Sequence, residues 1–284
     1  MQTKLLMEEC MDHDIRLIAM DMDGTLLNSQ QKISDENAKV LRMARDQGIK
    51  LAICSGRSPG DIAMFALENG LEDCALLSLN GTYCLETPLA APFCNHVLDQ
   101  KTLDATMTII QDEHMAFACY AQNRVVIFPV NGETGKSFWV AHEAGLLAPE
   151  VSYGPEALKH VMPQGVNKII CLAPDEESWQ RIRARLIKLD GLDVSTSWPL
   201  DFELMPLPYG KGTAVSELAQ KLSLTASQVM TFGDYDNDIG MIEYADYGVA
   251  MANATECIKK AAKIVTLSND EDGVAYAIRK YALK

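Results

Sequence analysis

The sequence predicts an α/β fold whose parallel sheet is interrupted by an inserted α+β segment. Three observations predict it. Short apolar runs alternate with helical patterns over residues 15–79; the alternation is lost between about 87 and 199; and it returns near residue 211 and continues to the end of the chain. Strand–helix–strand alternation is the signature of parallel pairing, because parallel neighbours need a crossover.

The elements follow in order. Residues 15–20 form a nearly continuous apolar run, as expected of a strand buried on both faces. Ser34 can cap a helix that Gly48 ends, with Val40, Leu41 and Ala44 on one side. Residues 49–54 read as a second buried strand, Pro59 opens a helix that Gly70 closes, and residues 75–79 read as a third strand. In the interrupting segment, 99–115 is helical, 117–121 and 125–130 are short strands, and "NGETG" at 131–135 is a turn. Strand 167–172, helix 176–189 and strand 192–197 complete it. After it come helix 213–222, a capping box from Thr225 to Gln228, strand 229–232 and helix 236–244. Strand 247–250, helix 255–262, a short strand at 264–265 and a last helix over 271–281 close the pattern. The expected organisation is an α/β core of residues 15–86 and 200–284 around an inserted domain of residues 87–199. The first 14 residues form an N-terminal extension with no place in the fold.

Composition narrows the function. A chain of 284 residues has room for two domains. Its 25 Lys and Arg against 39 Asp and Glu give a net charge of −14, which disfavours nucleic acid but leaves room for a small phosphorylated ligand. The eight cysteines contain no C-x-x-C pair, and several sit in apolar runs, so they read as small core hydrophobes. The five histidines show no metal-ligand spacing. With no leader and no long apolar span, the expected location is the cytoplasm, without a membrane partner. Oligomeric state is not legible.

Four stretches carry chemistry. "DMDGT" sets Asp21 and Asp23 at the end of the first strand, and "CSGR" sets Ser55 and Gly56 after the second. "GKGT" sets Lys211 at a helix start, and "GDYDND" sets Asp234, Asp236, Asn237 and Asp238 after a later strand. Ligands of open α/β sheets bind beyond the carboxyl ends of strands, so these loops can converge. Two like charges at a strand end are costly unless a cation pairs with them. Carboxylates suit a hard cation such as Mg²⁺, and a hydroxyl with an ammonium suits a phosphate.

In order and spacing these stretches resemble the four motifs of the haloacid dehalogenase-like hydrolase superfamily. The insert resembles its C2-type cap, and "NGT" at Asn80 with "EDGVAYAI" resembles its Cof-type (subclass IIB) sugar-phosphate phosphatases. The resemblance implies a Rossmann-like parallel-sheet core and a Mg²⁺-dependent phosphatase of small phosphate monoesters, above all sugar phosphates. It implies Asp21 as nucleophile, Asp23 as general acid and base, and Lys211 as a further catalytic group. Asp21, Asp23 and Asp234 would hold Mg²⁺. Ser55, Gly56, Asn80 and Asn237 would bind substrate, and Asp238 would support Lys211 or the metal's waters. Asp236 reads as the cap of the following helix, and Arg57 as structural. A sugar phosphomutase of the same fold and a non-catalytic sugar-phosphate-binding regulatory protein remain open. Selectivity is expected from residues 117–128 and the turn at 131–135.

Overall fold

The computed structural model of the protein describes residues 14–128, 150–196 and 199–284. In chain order the described elements are β1 (Leu17–Asp21), α1 (Asp35–Asp46), β2 (Lys50–Cys54), α2 (Pro59–Glu68), β3 (Ala75–Ser78), β4 (Tyr83–Leu85), β5 (Pro92–Asn95), α3 (Gln100–Asp112), β6 (Ala116–Ala121), β7 (Arg124–Phe128), β8 (Glu150–Tyr153) and α4 (Gly154–Val161). They continue with β9 (Lys168–Leu172), α5 (Glu176–Leu186), β10 (Leu192–Ser195), β11 (Asp201–Pro206), α6 (Lys211–Lys221), β12 (Val229–Gly233), α7 (Ile239–Tyr244), β13 (Tyr247–Ala250), α8 (Glu256–Ala261), β14 (Ile264–Val265) and α9 (Gly273–Tyr281). Two compact units emerge. One holds the described residues up to Ala52 together with Ser216–Lys284, and the other holds Ile53–Val215.

The first unit is the α/β part. Its strands run in the order β14-β13-β12-β1-β2, with β1, β12, β13 and β14 pairing in parallel. Every residue of β1 and β12 is buried, which explains why all but Asp21 and Thr231 are apolar or glycine. Ser34 caps α1 by accepting from the Asn37 amide at 3.0 Å. The buried Asn37 side chain in turn accepts from the Ala275 amide at 2.9 Å, tying α1 to α9. Gly48 ends the turn after α1 at a positive φ of 81°, where a glycine costs least.

In the second unit, β3, β4 and β5 pair antiparallel. A separate six-stranded sheet runs β10-β11-β9-β6-β7-β8 among the described residues. Its pairs are antiparallel except β7 with β8. Helices α3 and α5 cover one face, packing Leu103, Ile110, Ile182 and Leu186 on Phe117, Ile169, Phe202 and Leu204. Burying each such side chain contributes about 1.5–3 kcal/mol. Asn167, fully buried, links the two strand groups. Its Nδ2 donates to Asn95 Oδ1 and to the His96 carbonyl, each at 2.8 Å, and its Oδ1 accepts from the Gln122 amide at 2.8 Å.

The sequence-based boundaries shift. Residues 92–95 pair with β4, although the insert was expected to begin at 87. Strand β11 pairs with β9 and β10, so the six-stranded sheet runs past the expected end at 199 to Pro206. The extension and the turn at 131–135 lie outside the described residues. The cysteines at 94, 119, 171 and 257 are free thiols. Burial pushes the Cys119 thiol up to about 12, consistent with a packing role. No helix among the described residues is long and apolar enough to cross a membrane.

Candidate active site

The α/β unit carries an acidic cluster. Asp21, Asp234 and Asp238 each offer a carboxylate oxygen, and these oxygens lie within 4.8 Å of one another. Asp21 ends β1 and is 6% exposed; Asp234 follows β12 directly. Parallel pairing of β1 with β12, Met20 opposite Phe232, brings the two strand ends side by side. Three carboxylates this close and this buried repel one another. A divalent cation with oxygen preference is the group that such a donor set fits.

The neighbouring loops are built around the cluster. The Thr25 hydroxyl donates to Asp234 Oδ1 at 2.8 Å. Asp238 Oδ2 accepts from the amides of Asp234 and Tyr235 at 3.0 and 3.1 Å, which fixes the loop after β12. Gly24 has φ +82°, and a Cβ there would lie 2.4 Å from Asp234 Oδ2, so only glycine admits this approach. The Gly24 carbonyl is held by Asn253 Nδ2 at 2.8 Å. Met22 is fully buried while Asp23 is exposed, in the turn that follows β1.

The second unit holds the hydroxyl and the ammonium. Ser55 is 2% exposed, and its Oγ accepts from the Arg57 amide at 3.2 Å, which leaves its proton to donate. The Ser55 amide bonds the Leu77 carbonyl at 3.0 Å, the Asn80 amide bonds the Ser55 carbonyl at 2.9 Å, and the Leu79 amide bonds the Arg57 carbonyl at 3.0 Å. Lys211 opens α6 and is 2% exposed, so a helix N-terminus and an ammonium present positive potential together. A Cβ on Gly81 would lie 2.6 Å from the Gly210 carbonyl oxygen, so the turn after Asn80 packs directly on the turn before Lys211. The loops of Ser55, Gly56, Asn80 and Lys211 therefore meet within this unit.

Several expectations change. Asp238, expected only as a support, has a carboxylate oxygen in the cluster; the Asp23 carboxylate is not among the grouped oxygens, and the metal contact expected of Asp23 is through its backbone carbonyl. Asp236 does not cap the following helix. Its Oδ1 accepts from the Thr255 hydroxyl at 3.0 Å, and the amides before that helix are taken by Asp238 instead. Asn80 is 2% exposed, so it lines no open entrance. Asn237 is half-buried beside Asp238. Phe117 and Phe128, in the region expected to set selectivity, stack on each other at 4.5 Å, Phe117 within the core of the six-stranded sheet. His96 stacks on Tyr209 at 3.6 Å, a packing role. Sequence reasoning passed over Asn253. The available signal was its place in the loop after a parallel strand.

Comparison with known proteins bears on the family and the fold. The family model for haloacid dehalogenase-like hydrolases matches residues 18–278. The chain is similar to 5-amino-6-(5-phospho-D-ribitylamino)uracil phosphatase YcsE of Bacillus subtilis, 30% identical over 96% of this chain and 98% of that protein. It is similar to YwtE of the same organism, a phosphatase of the same name, 28% identical over 93% of this chain and 97% of that one. Among solved structures, a haloacid dehalogenase-like hydrolase from Bacteroides thetaiotaomicron superposes with TM-score 0.79 at 30% identity, covering 94% of this chain and 99% of that one.

Proposed function

Because the chain belongs to the haloacid dehalogenase-like hydrolase family, we propose that this phosphoric monoester hydrolase is Mg²⁺-dependent, acts on small sugar or sugar-alcohol phosphates, and works through an aspartyl-phosphate on Asp21. The observation that carries the reading is the buried Asp21 carboxylate at the end of β1, clustered with Asp234 and Asp238. The relatives named for a phosphoribityl substrate support the sugar-alcohol class.

The residues divide the work. An aspartate is ionised at neutral pH and needs no base to become a nucleophile. An Asp21 oxygen attacks phosphorus as the bond from phosphorus to the ester oxygen breaks. Asp23, exposed and outside the carboxylate cluster, gives a proton to the departing oxygen. Water then attacks the aspartyl-phosphate, Asp23 takes its proton, and Asp21 is regenerated as phosphate leaves. Asp21, Asp234 and Asp238 would hold Mg²⁺, which neutralises charge on the phosphoryl oxygens and between the carboxylates. Ser55 and Lys211 would each bond a phosphoryl oxygen, and Asn237 would orient the group. The inserted domain of residues 87–199, extended through β11, would serve as the cap and set selectivity.

The test is phosphate release from a panel of sugar and sugar-alcohol phosphates, with Mg²⁺ and with a chelator, for wild type and Asp21→Asn. Release that needs Mg²⁺ and disappears in the variant is expected, with the fold retained by circular dichroism. Mg²⁺-dependent turnover by Asp21→Asn would sink the mechanism. Isomerised sugar phosphate without net release would move the chain to the mutases.

A further inference from the structure

On the reading above, in which Ser55 bonds a phosphoryl oxygen, we infer that Lys168 is a positioning residue that acts on the Ser55 hydroxyl through the Gly56–Arg57 peptide. Lys168 opens β9 in the six-stranded sheet and is 1% exposed. Its Nζ lies 2.9 Å from Glu203 Oε1 and donates to the Gly56 carbonyl at 3.3 Å. That carbonyl belongs to the same peptide unit as the Arg57 N–H, and the Arg57 N–H donates to Ser55 Oγ at 3.2 Å. The chain therefore runs from Glu203 to Lys168, through one peptide, to the hydroxyl. A cation on the carbonyl polarises the peptide, strengthens the N–H as a donor and sharpens the Ser55 O–H as a donor in turn.

The surroundings hold this relay in place. The other oxygen of Glu203 accepts from Asn80 Nδ2 at 2.8 Å, so one carboxylate fixes both Lys168 and Asn80. Asn80 in turn donates its backbone amide to the Ser55 carbonyl. A Cβ on Gly56 would lie 2.9 Å from Asn80 Oδ1 and 3.2 Å from Lys168 Nζ, so the missing side chain is what lets Lys168 reach the Gly56 carbonyl with Asn80 packed beside it. Leu79 and Asn80 adopt φ of 50° and 56°, a conformation that leucine rarely takes and that the neighbouring bonds must impose. Asn80 Oδ1 is buried without a hydrogen-bond partner; the amide is turned to serve Glu203 at the expense of its own oxygen.

A purely structural role fits less well. A buried ion pair is an expensive way to join a sheet to a loop, and apolar side chains of similar volume do so at no greater cost. Apolar side chains cannot, however, donate to the Gly56 carbonyl.

The experiment measures binding of inorganic phosphate in the presence of Mg²⁺ by calorimetry, with KM, kcat and melting temperature, for wild type, Lys168→Met, Lys168→Met/Glu203→Gln, Ser55→Ala and Ser55→Ala/Lys168→Met. The Lys168→Met/Glu203→Gln variant leaves no buried charge unpaired and guards against a simple folding failure. In Lys168→Met and in Lys168→Met/Glu203→Gln, phosphate Kd and KM rise by about tenfold, the size expected for weakening one charge-assisted bond. Lys168→Met adds nothing further once Ser55 is alanine. A lower melting temperature with unchanged phosphate Kd would overturn the inference, as would full additivity with Ser55→Ala. Wild type that binds phosphate but hydrolyses no ester would defeat the phosphatase reading alone, and the binding series would still decide this one. Phosphate binding by Ser55→Ala equal to that of wild type would remove the premise and the inference with it.

Discussion

Replacing Gly24 with alanine separates the geometry of the acid cluster from the general cost of backbone strain. Gly24 sits at φ +82°, and an added Cβ would lie 2.4 Å from Asp234 Oδ2, where ordinary contact begins at 3.4 Å. The carboxylate must retreat by about 1 Å, a displacement that can cost about 100-fold when it misplaces a reacting or ligating group. A loss of that size is about 2.7 kcal/mol of barrier. The backbone contributes about 1–2 kcal/mol of destabilisation for a left-handed alanine, and a melting shift of about 2–4 °C for each kcal/mol. Gly48→Ala is the matched control: φ is +81°, and nothing lies within 4 Å of the added Cβ. Both variants should melt lower by similar amounts, while only Gly24→Ala loses phosphate release, by about 100-fold in kcat/KM. The assay is phosphate release at saturating Mg²⁺ beside a thermal melt. Equal activity in the two variants would refute the argument that Gly24 exists to admit Asp234.

Two further outcomes test the second unit. The guanidinium groups of Arg181 and Arg185 hold the Glu113 carboxyl below its ordinary value of 4.5. The lowered value means that their stabilisation is fully present above pH 4.5 and is lost as pH falls through the folded-state value. Glu113→Gln should therefore be less stable than wild type by about 0.5–1 kcal/mol near neutrality, and the gap should close in urea melts below pH 4.5. A gap that does not narrow as pH falls below 4.5 would count against the ion pairs. Asn167→Ala strands the half-buried Gln122 amide and leaves Asn95 and the His96 carbonyl without their donor. It should cost about 2–4 kcal/mol, read by equilibrium denaturation, and a loss under about 1 kcal/mol would mean that water replaces the amide.

Much of the fold was legible because burial on both faces leaves a plain record. The runs at β1, β2 and β12 are apolar but for Asp21, Lys50 and Thr231, and Ser34 caps the helix that follows it. What was missed has physical causes. Strand β5 is short and carries Pro92, and its ends are exposed, so it leaves no apolar alternation. Strand β11 reads as polar because Asp201 and Glu203 interrupt it, yet both are buried. Glu203 is tolerated there by Lys168, which is distant in sequence, and each residue alone looks like an ordinary surface charge. Asp238 was misplaced for a related reason. The motif supplies several carboxylates within five residues, and only the backbone path after β12 decides which of them turn inward.

The course of β11 bears on how this protein can be recombined. It lies inside the six-stranded sheet, between β10 and β9, and only residues 207–210 separate it from Lys211. A chimera joined at residue 199, where composition changes, would pull an interior strand out of its sheet and leave β9 and β10 without their shared neighbour. A junction within 207–210 would carry the sheet whole, but it would place foreign sequence against the turn on which Gly81 packs. Exchange of the insert between relatives is therefore constrained at its downstream end to a four-residue window, and a library built to change substrate choice should keep residues 201–206 with the rest of the sheet and place its junction within 207–210.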